Sequence, residues 1–80
     1  MNQFDQLRQN LGTNVKAVRK ERKRSQEQLA FDADIDRTYV SQIERGVSNP
    51  SLQVLCKIAE SLDTDVLSLL ASPPEEASAR

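Results

Sequence analysis

The chain has 80 residues, of which 38% are hydrophobic, and its 11 Lys and Arg against 12 Asp and Glu leave a formal net charge of −1. A chain this short makes one domain with a thin core, because it hides only about 60% of the surface its unfolded state exposes. With no histidine and a single cysteine, Cys56, it cannot hold a disulfide framework, a Cys/His zinc site or histidine-based acid–base or nucleophilic catalysis; no catalytic residue, metal ligand or cofactor is implied.

Phe4, Leu7, Leu11, Val15 and Val18 recur at steps of three and four, the stripe of an amphipathic helix. Gly12 and Thr13 interrupt good helix formers and predict a kink or a fresh start there. The basic residues 20–24 end the helix. Ser25 is placed as an N-cap with Gln28 three positions on, the capping-box spacing. Residues 26–33 then form a second, short helix with Leu29, Ala30 and Ala33 inward. Asp34, Ile35 and Asp36 form a tight turn: Asp34 tolerates the left-handed region, and Asp36 caps the next helix.

Residues 37–45 form a third helix with Val40 and Ile43 inward and Gly46 just past its end. Residues 47–50 form a loop, with Pro50 placed to open a fourth helix. Leu52, Leu55, Ile58, Ala59 and Leu62 supply its apolar face, and Cys56 is expected to be a small buried hydrophobe. Asp63 and Thr64 break and recap the chain before a short fifth helix over 65–71, with Val66, Leu67, Leu69 and Leu70. Residues 72–80 lack an apolar anchor and are expected to be disordered. The fold class is all-α, with one five-helix domain over 1–71.

The near-zero net charge hides an asymmetry. Residues 1–24 carry seven basic and two acidic side chains; residues 25–80 carry four basic and ten acidic ones. Distribution matters more than the total for a polyanionic partner. From charge alone, residues 20–24 read first as a solvated helix end that complements the helix dipole. No apolar run approaches the roughly 18–20 residues that span a bilayer. The opening Met-Asn-Gln-Phe-Asp-Gln lacks the basic-then-apolar pattern of a signal peptide. A cytoplasmic protein with no membrane partner is expected.

Two short helices joined by a three-residue turn constitute a helix-turn-helix, which lays one helix across a DNA backbone and slots the next into the major groove. The residues go further. Ser25-Gln26-Glu27-Gln28-Leu29-Ala30, then Ile35-Asp36-Arg37-Thr38-Tyr39-Val40-Ser41-Gln42-Ile43-Glu44-Arg45-Gly46, then Asn49-Pro50-Ser51-Leu52 resemble the Xre/Cro/CI family of bacterial and phage regulators. The resemblance covers about residues 13–71 and implies a five-helix, lambda-repressor-like DNA-binding domain whose second and third helices are the helix-turn-helix. The Asp36-Arg37-Thr38-Tyr39 run and the small size look most like the controller proteins of restriction–modification systems. Prophage repressors and antitoxins share much of the pattern, and a helical protein-binding adaptor is the alternative from another class.

The resemblance implies roles for particular residues. Arg37, Thr38, Ser41 and Gln42 stand where family members reach base edges; Arg suits guanine O6 and N7, and Gln suits adenine N6 and N7. Gln26 stands where the family binds a phosphate, with a capping contact as the alternative. Lys16, Lys20, Tyr39, Arg45, Ser48 and Asn49 are the further phosphate candidates, with Arg22 and Lys23 behind them. Arg19 and Glu44 match a family ion pair beneath the reading helix, so Arg19 is kept apart from base reading. Two departures weaken DNA contact: Ser48 stands where a basic residue is common, and Asp34 where many relatives carry Gly.

One recognition helix reads too few base pairs to single out a site in a genome, so a homodimer on a two-fold operator in double-stranded promoter DNA is expected. Val66, Leu67, Leu69 and Leu70 are more apolar than one buried face requires and form the expected interface. Leu69 leads among them, as the residue off a core stripe of Val66, Leu67 and Leu70. RNA polymerase is a further candidate partner, through the acids Glu27 and Asp32 on the second helix.

Overall fold

A computed structural model describes residues 2–74 as five α-helices: α1 Gln3–Glu21, α2 Gln26–Ala33, α3 Arg37–Glu44, α4 Leu52–Ser61 and α5 Val66–Leu70. The all-α, lambda-repressor-like class with a helix-turn-helix at α2 and α3 holds. Of the expected tail, residues 72–74 have no regular structure, and the rest lies outside the described residues. No described helix is long and apolar enough to cross a membrane.

The helix starts follow from side-chain caps. Ser25 Oγ accepts from the Gln28 amide at 3.0 Å while Gln28 Oε1 accepts from the Ser25 amide at 2.7 Å. Asp36 Oδ1 accepts from the Thr38 amide at 3.0 Å. Each satisfies donors that the first turn leaves without partners. The fourth helix starts later than Pro50 suggests: Ser51 is its N-cap, its Oγ accepting from the Val54 amide at 3.2 Å. The fifth is capped by Asp65, whose Oδ1 accepts from the Ser68 amide.

The ends of α1 to α4 share one device. In each, a left-handed residue (Lys23, Asp34, Gly46 and Asp63) closes a pair of reversed backbone bonds. At α2, for example, the Asp34 amide donates to the Phe31 carbonyl and the Ile35 amide to the Ala30 carbonyl. This motif favours glycine, yet only one of the four positions has it.

α1 runs without a break through Gly12, which corrects the expected kink. A Cβ at Gly12 would lie 2.7 Å from both the Ile43 and the Glu44 carbonyl oxygens. The glycine is there because the backbone of α1 approaches the last turn of α3, not because α1 ends.

The core joins Leu11 and Val15 of α1, Leu29, Ala30 and Ala33 of α2, Val40 and Ile43 of α3, Leu55, Ile58 and Ala59 of α4 with Leu62 after it, and Leu69 of α5. Three expectations fail here. Phe4 is half exposed beneath the Arg8 guanidinium, 4.6 Å from the ring centre. Leu52 is 70% exposed and Cys56 is exposed as well. Both lie off the 55, 58, 59, 62 stripe and share a face four residues apart.

The fifth helix reverses the expected order. Leu69 is 1% exposed and belongs to the core, whereas Leu67 is 81% exposed. Val66 and Leu70 pack partly against the core. The stripe is 66, 69, 70, which keeps the i, i+3, i+4 spacing of one helix face, and Leu67 points away from it.

Candidate nucleic-acid interface

α3 is short, and its register is set at both ends, by the Asp36 cap and by Gly46 at φ 73°. Val40 and Ile43 are anchored in the core. At about 3.6 residues per turn, that fixes Arg37, Thr38, Ser41, Gln42 and Arg45 on the opposite arc. Arg37, Thr38 and Arg45 are exposed, and Ser41 and Gln42 are half-buried at its edge. Tyr39 flanks the arc and packs partly on the core.

Beneath the arc lies a charged fork. Arg19 Nε donates to Glu44 Oε2 at 2.6 Å, Nη2 to Oε1 at 3.0 Å, and Nη1 to the Arg24 carbonyl at 2.8 Å. The Glu44 side chain is 3% exposed and that of Arg19 10%. Two planar groups meet in a bidentate pair, the strongest form such a contact takes. The hydrogen bond to Glu44 raises the Arg19 pKa above its ordinary value, against the desolvation that lowers it. Gln26 joins the same carboxylate, with Nε2 3.1 Å from Glu44 Oε1. One acid of α3 is thus held by α1 and by the first residue of α2. Gln26 spends one N–H on this network and keeps its position at the helix N-terminus, where backbone amides favour an anion.

The basic run before α2 separates by residue type. Arg22 donates to the Leu62 carbonyl at 3.0 Å and to Asp63 at 3.3 Å, just past the end of α4. Arg24 bonds Asp32 at 3.0 Å and the Ser61 carbonyl at 2.6 Å. Arg8 pairs with Asp5. The Arg22 guanidinium thus caps a neighbouring helix. Lys16, Lys20 and Lys23 are exposed and form no ion pair among the described residues.

In the following loop Asn49 is exposed, but the Ser48 hydroxyl is buried without a hydrogen-bond partner. Both acids on α2, Glu27 and Asp32, are exposed, and Asp32 pairs with Arg24 at the surface. On α5 Leu67 points to the surface, Val66 and Leu70 are half-buried along the core stripe, and Leu69 lies within the core.

Two buried residues carry no signal of their role in the local sequence pattern. Asn14 Nδ2 lies 2.9 Å from the Leu69 carbonyl, 2.8 Å from Ala71 and 3.4 Å from Ser68, and Asn10 Nδ2 lies 3.1 Å from Leu70. The one hint is a pair of asparagines one turn apart on the inner side of α1, next to Leu11 and Val15.

A family model described as helix-turn-helix matches residues 15–69. The control protein C.BamHI of Bacillus amyloliquefaciens is 50% identical over 46 residues, 58% of this chain and 57% of that protein. The immunity repressor protein of Bacillus phage phi105 is 43% identical over 60 residues, 75% of this chain and 42% of that one. The chain thus spans about half the length of these two relatives. The crystal structure of the restriction-modification controller protein C.AhdI from Aeromonas hydrophila superposes with a TM-score of 0.75 at 37% identity, covering 78% of this chain and 94% of that one.

Proposed function

The chain belongs to the helix-turn-helix family of DNA-binding transcriptional regulators, in its Xre/Cro/CI branch and close to the restriction–modification controllers, and we propose that it acts as a homodimer on a two-fold operator controlling restriction–modification genes. The observation that carries this reading is the polar arc of α3 held outward over the Arg19–Glu44 fork. Such an arc suits the major groove, where Arg37, Thr38, Ser41 and Gln42 read bases. Gln26, Lys16, Lys20, Tyr39, Arg45 and Asn49 hold the phosphates on either side.

Residues 1–71 form the DNA-binding and self-association domain, and the protein works in the cytoplasm, where its operator is. Two copies meet through the surface of α5, since one copy reads too few bases for a genomic site. Leu67 is the most exposed apolar side chain on that helix, and it takes the place expected of Leu69. Contact with RNA polymerase falls to Glu27 and Asp32, both exposed on α2, the latter in a surface pair with Arg24. The likeness to the phi105 repressor supports a second reading, a prophage repressor; methyltransferase and endonuclease genes or prophage genes beside its own separate the two.

Footprinting on DNA upstream of its own gene tests the proposal. Protection of two half-sites about one DNA turn apart is expected. Arg37→Ala should cost about 1–3 kcal/mol and relax the preference at one base of each half-site, and Gln42→Ala should do the same at another. An unchanged operator preference in the double variant would show that other residues read the bases, and the absence of any footprint would favour a protein-binding adaptor.

A further inference from the structure

We infer that Asn10 and Asn14 set the spacing between the two half-sites that a dimer of this chain accepts. The inference rests on the dimer reading above and adds what fixes its geometry. α5 has only five residues, too few to be stable alone. The last carbonyls of a helix have no partner within it. Here the Ser68, Leu69, Leu70 and Ala71 carbonyls are all met by two amide groups, those of Asn14 and Asn10. Both asparagines are buried, and Gln6 Nε2 donates to Asn10 Oδ1 at 2.9 Å, which orients the second amide.

The same helix grips α3 from neighbouring positions. Gly12 lies between the two asparagines in sequence and brings α1 against the Ile43 and Glu44 carbonyls; Arg19 reaches the Glu44 carboxylate. α1 is therefore one continuous beam with the reading helix fastened to it at residues 12 and 19 and the partner-facing helix fastened at 10 and 14. Leu67, on the free side of α5, is carried by that second fastening. In a two-fold dimer, the distance and angle between the two reading helices follow from how rigidly each is tied to the interface. Loosening the asparagine clasp frees α5 to swivel, so that reading of one half-site survives while its phasing with the other is lost.

The test uses full-length protein and the duplex it enriches from a randomised pool of about 30 base pairs. That duplex is remade with one base pair added or removed between half-sites, and with one half-site scrambled. Wild type should bind the altered spacings at least about ten-fold more weakly, as a phased dimer must. Asn14→Ala should keep wild-type affinity for the scrambled, single half-site duplex. It should dimerise about ten-fold more weakly, the scale of one or two missing hydrogen bonds, and separate the three spacings by less than about three-fold. Asn10→Ala, which breaks one hydrogen bond to α5, should fall between them.

An Asn14→Ala protein with the full wild-type spacing preference overturns the inference while leaving the dimer reading intact. If Asn14→Ala loses single half-site binding through misfolding, Asn10→Ala decides, and an undiminished preference in it overturns the inference equally. A wild type that stays monomeric and ignores spacing overturns both.

Discussion

Adding one methyl group at Gly12 should show how closely the reading helix is seated. The new Cβ would stand 2.7 Å from the carbonyl oxygens of Ile43 and Glu44 and 3.1 Å from the Glu44 carbonyl carbon. Carbon–oxygen contacts of this kind sit near about 3.3–3.6 Å, so the last turn of α3 must retreat by roughly 0.6 Å or more. Backbone carbonyls cannot rotate aside as a side-chain tip can. The retreat is also opposed by the Arg19–Glu44 fork, already at 2.6 Å. Overpacking of this sort costs about 1–3 kcal/mol, while alanine in place of glycine inside a helix returns about 1 kcal/mol. The net expectation for Gly12→Ala is a loss of about 1 kcal/mol, or roughly 4–8 °C in Tm for a domain of this size. Urea and thermal unfolding measure it, and operator affinity should fall as Gln42 and Arg45 shift with the turn. An open helix surface at residue 12 predicts the opposite sign, a gain of about 1 kcal/mol. A more stable Gly12→Ala protein with full operator affinity would refute the seating argument.

Glu44→Ala leaves the Arg19 guanidinium buried without its partner and should cost about 3–5 kcal/mol in equilibrium unfolding; a cost below about 1 kcal/mol, the range of exposed pairs, would show that the fork is solvated. Because the hydrogen bond to Glu44 raises the Arg19 pKa, its contribution is fully present below the unfolded value and lost only as pH rises through the folded one. Both lie beyond the range of ordinary assays, so the cost of Glu44→Ala should be the same at every pH from about 6 to 10. A loss that shrinks across that interval contradicts the assignment. Asp34, at φ 55° in the turn of the helix-turn-helix, is strained for a residue with a Cβ; Asp34→Gly should gain up to about 1 kcal/mol in urea unfolding, and a loss would mean that its carboxylate matters more than its backbone.

What the sequence made readable is what neighbours in the chain determine. The Ser25–Gln28 capping box, the left-handed Asp34 and the Asp36 cap each depend on three or four consecutive residues, and the structure has each of them. What it hid depends on packing between helices. Gly12 reads as a breaker until α3 is laid against it. Leu67 and Leu69 are the same residue type two positions apart, and in a helix of five residues only the direction of α1 decides which one is buried. Ser48 could not be separated from Asn49 without knowing which way the loop turns. Asn10 and Asn14 looked like ordinary polar positions because their partners are backbone carbonyls some 60 residues away, which leave no mark on local pattern.

The basic segment shows how a single charge count can conceal two purposes. Its arginines are consumed by the fold, at Glu44, at carbonyls at and just past the end of α4, and at Asp32. A planar guanidinium suits those tasks because it satisfies several fixed acceptors at once. The lysines at 16, 20 and 23 stay exposed and unpaired among the described residues, and a hydrated ammonium on a flexible stem suits a phosphate without fixed geometry. The two sets should therefore separate in experiment. Replacing Lys16 and Lys20 with glutamine should leave unfolding unchanged and make the slope of log affinity against log salt less steep by about 0.9 for each phosphate that is no longer neutralised. Arg24→Lys should do the reverse, costing about 1 kcal/mol of stability by removing the hydrogen bond to the Ser61 carbonyl while the salt slope stays as in wild type. If Arg24→Lys flattens the slope and the lysine changes do not, the arginines face the DNA and the division argued from the geometry is wrong.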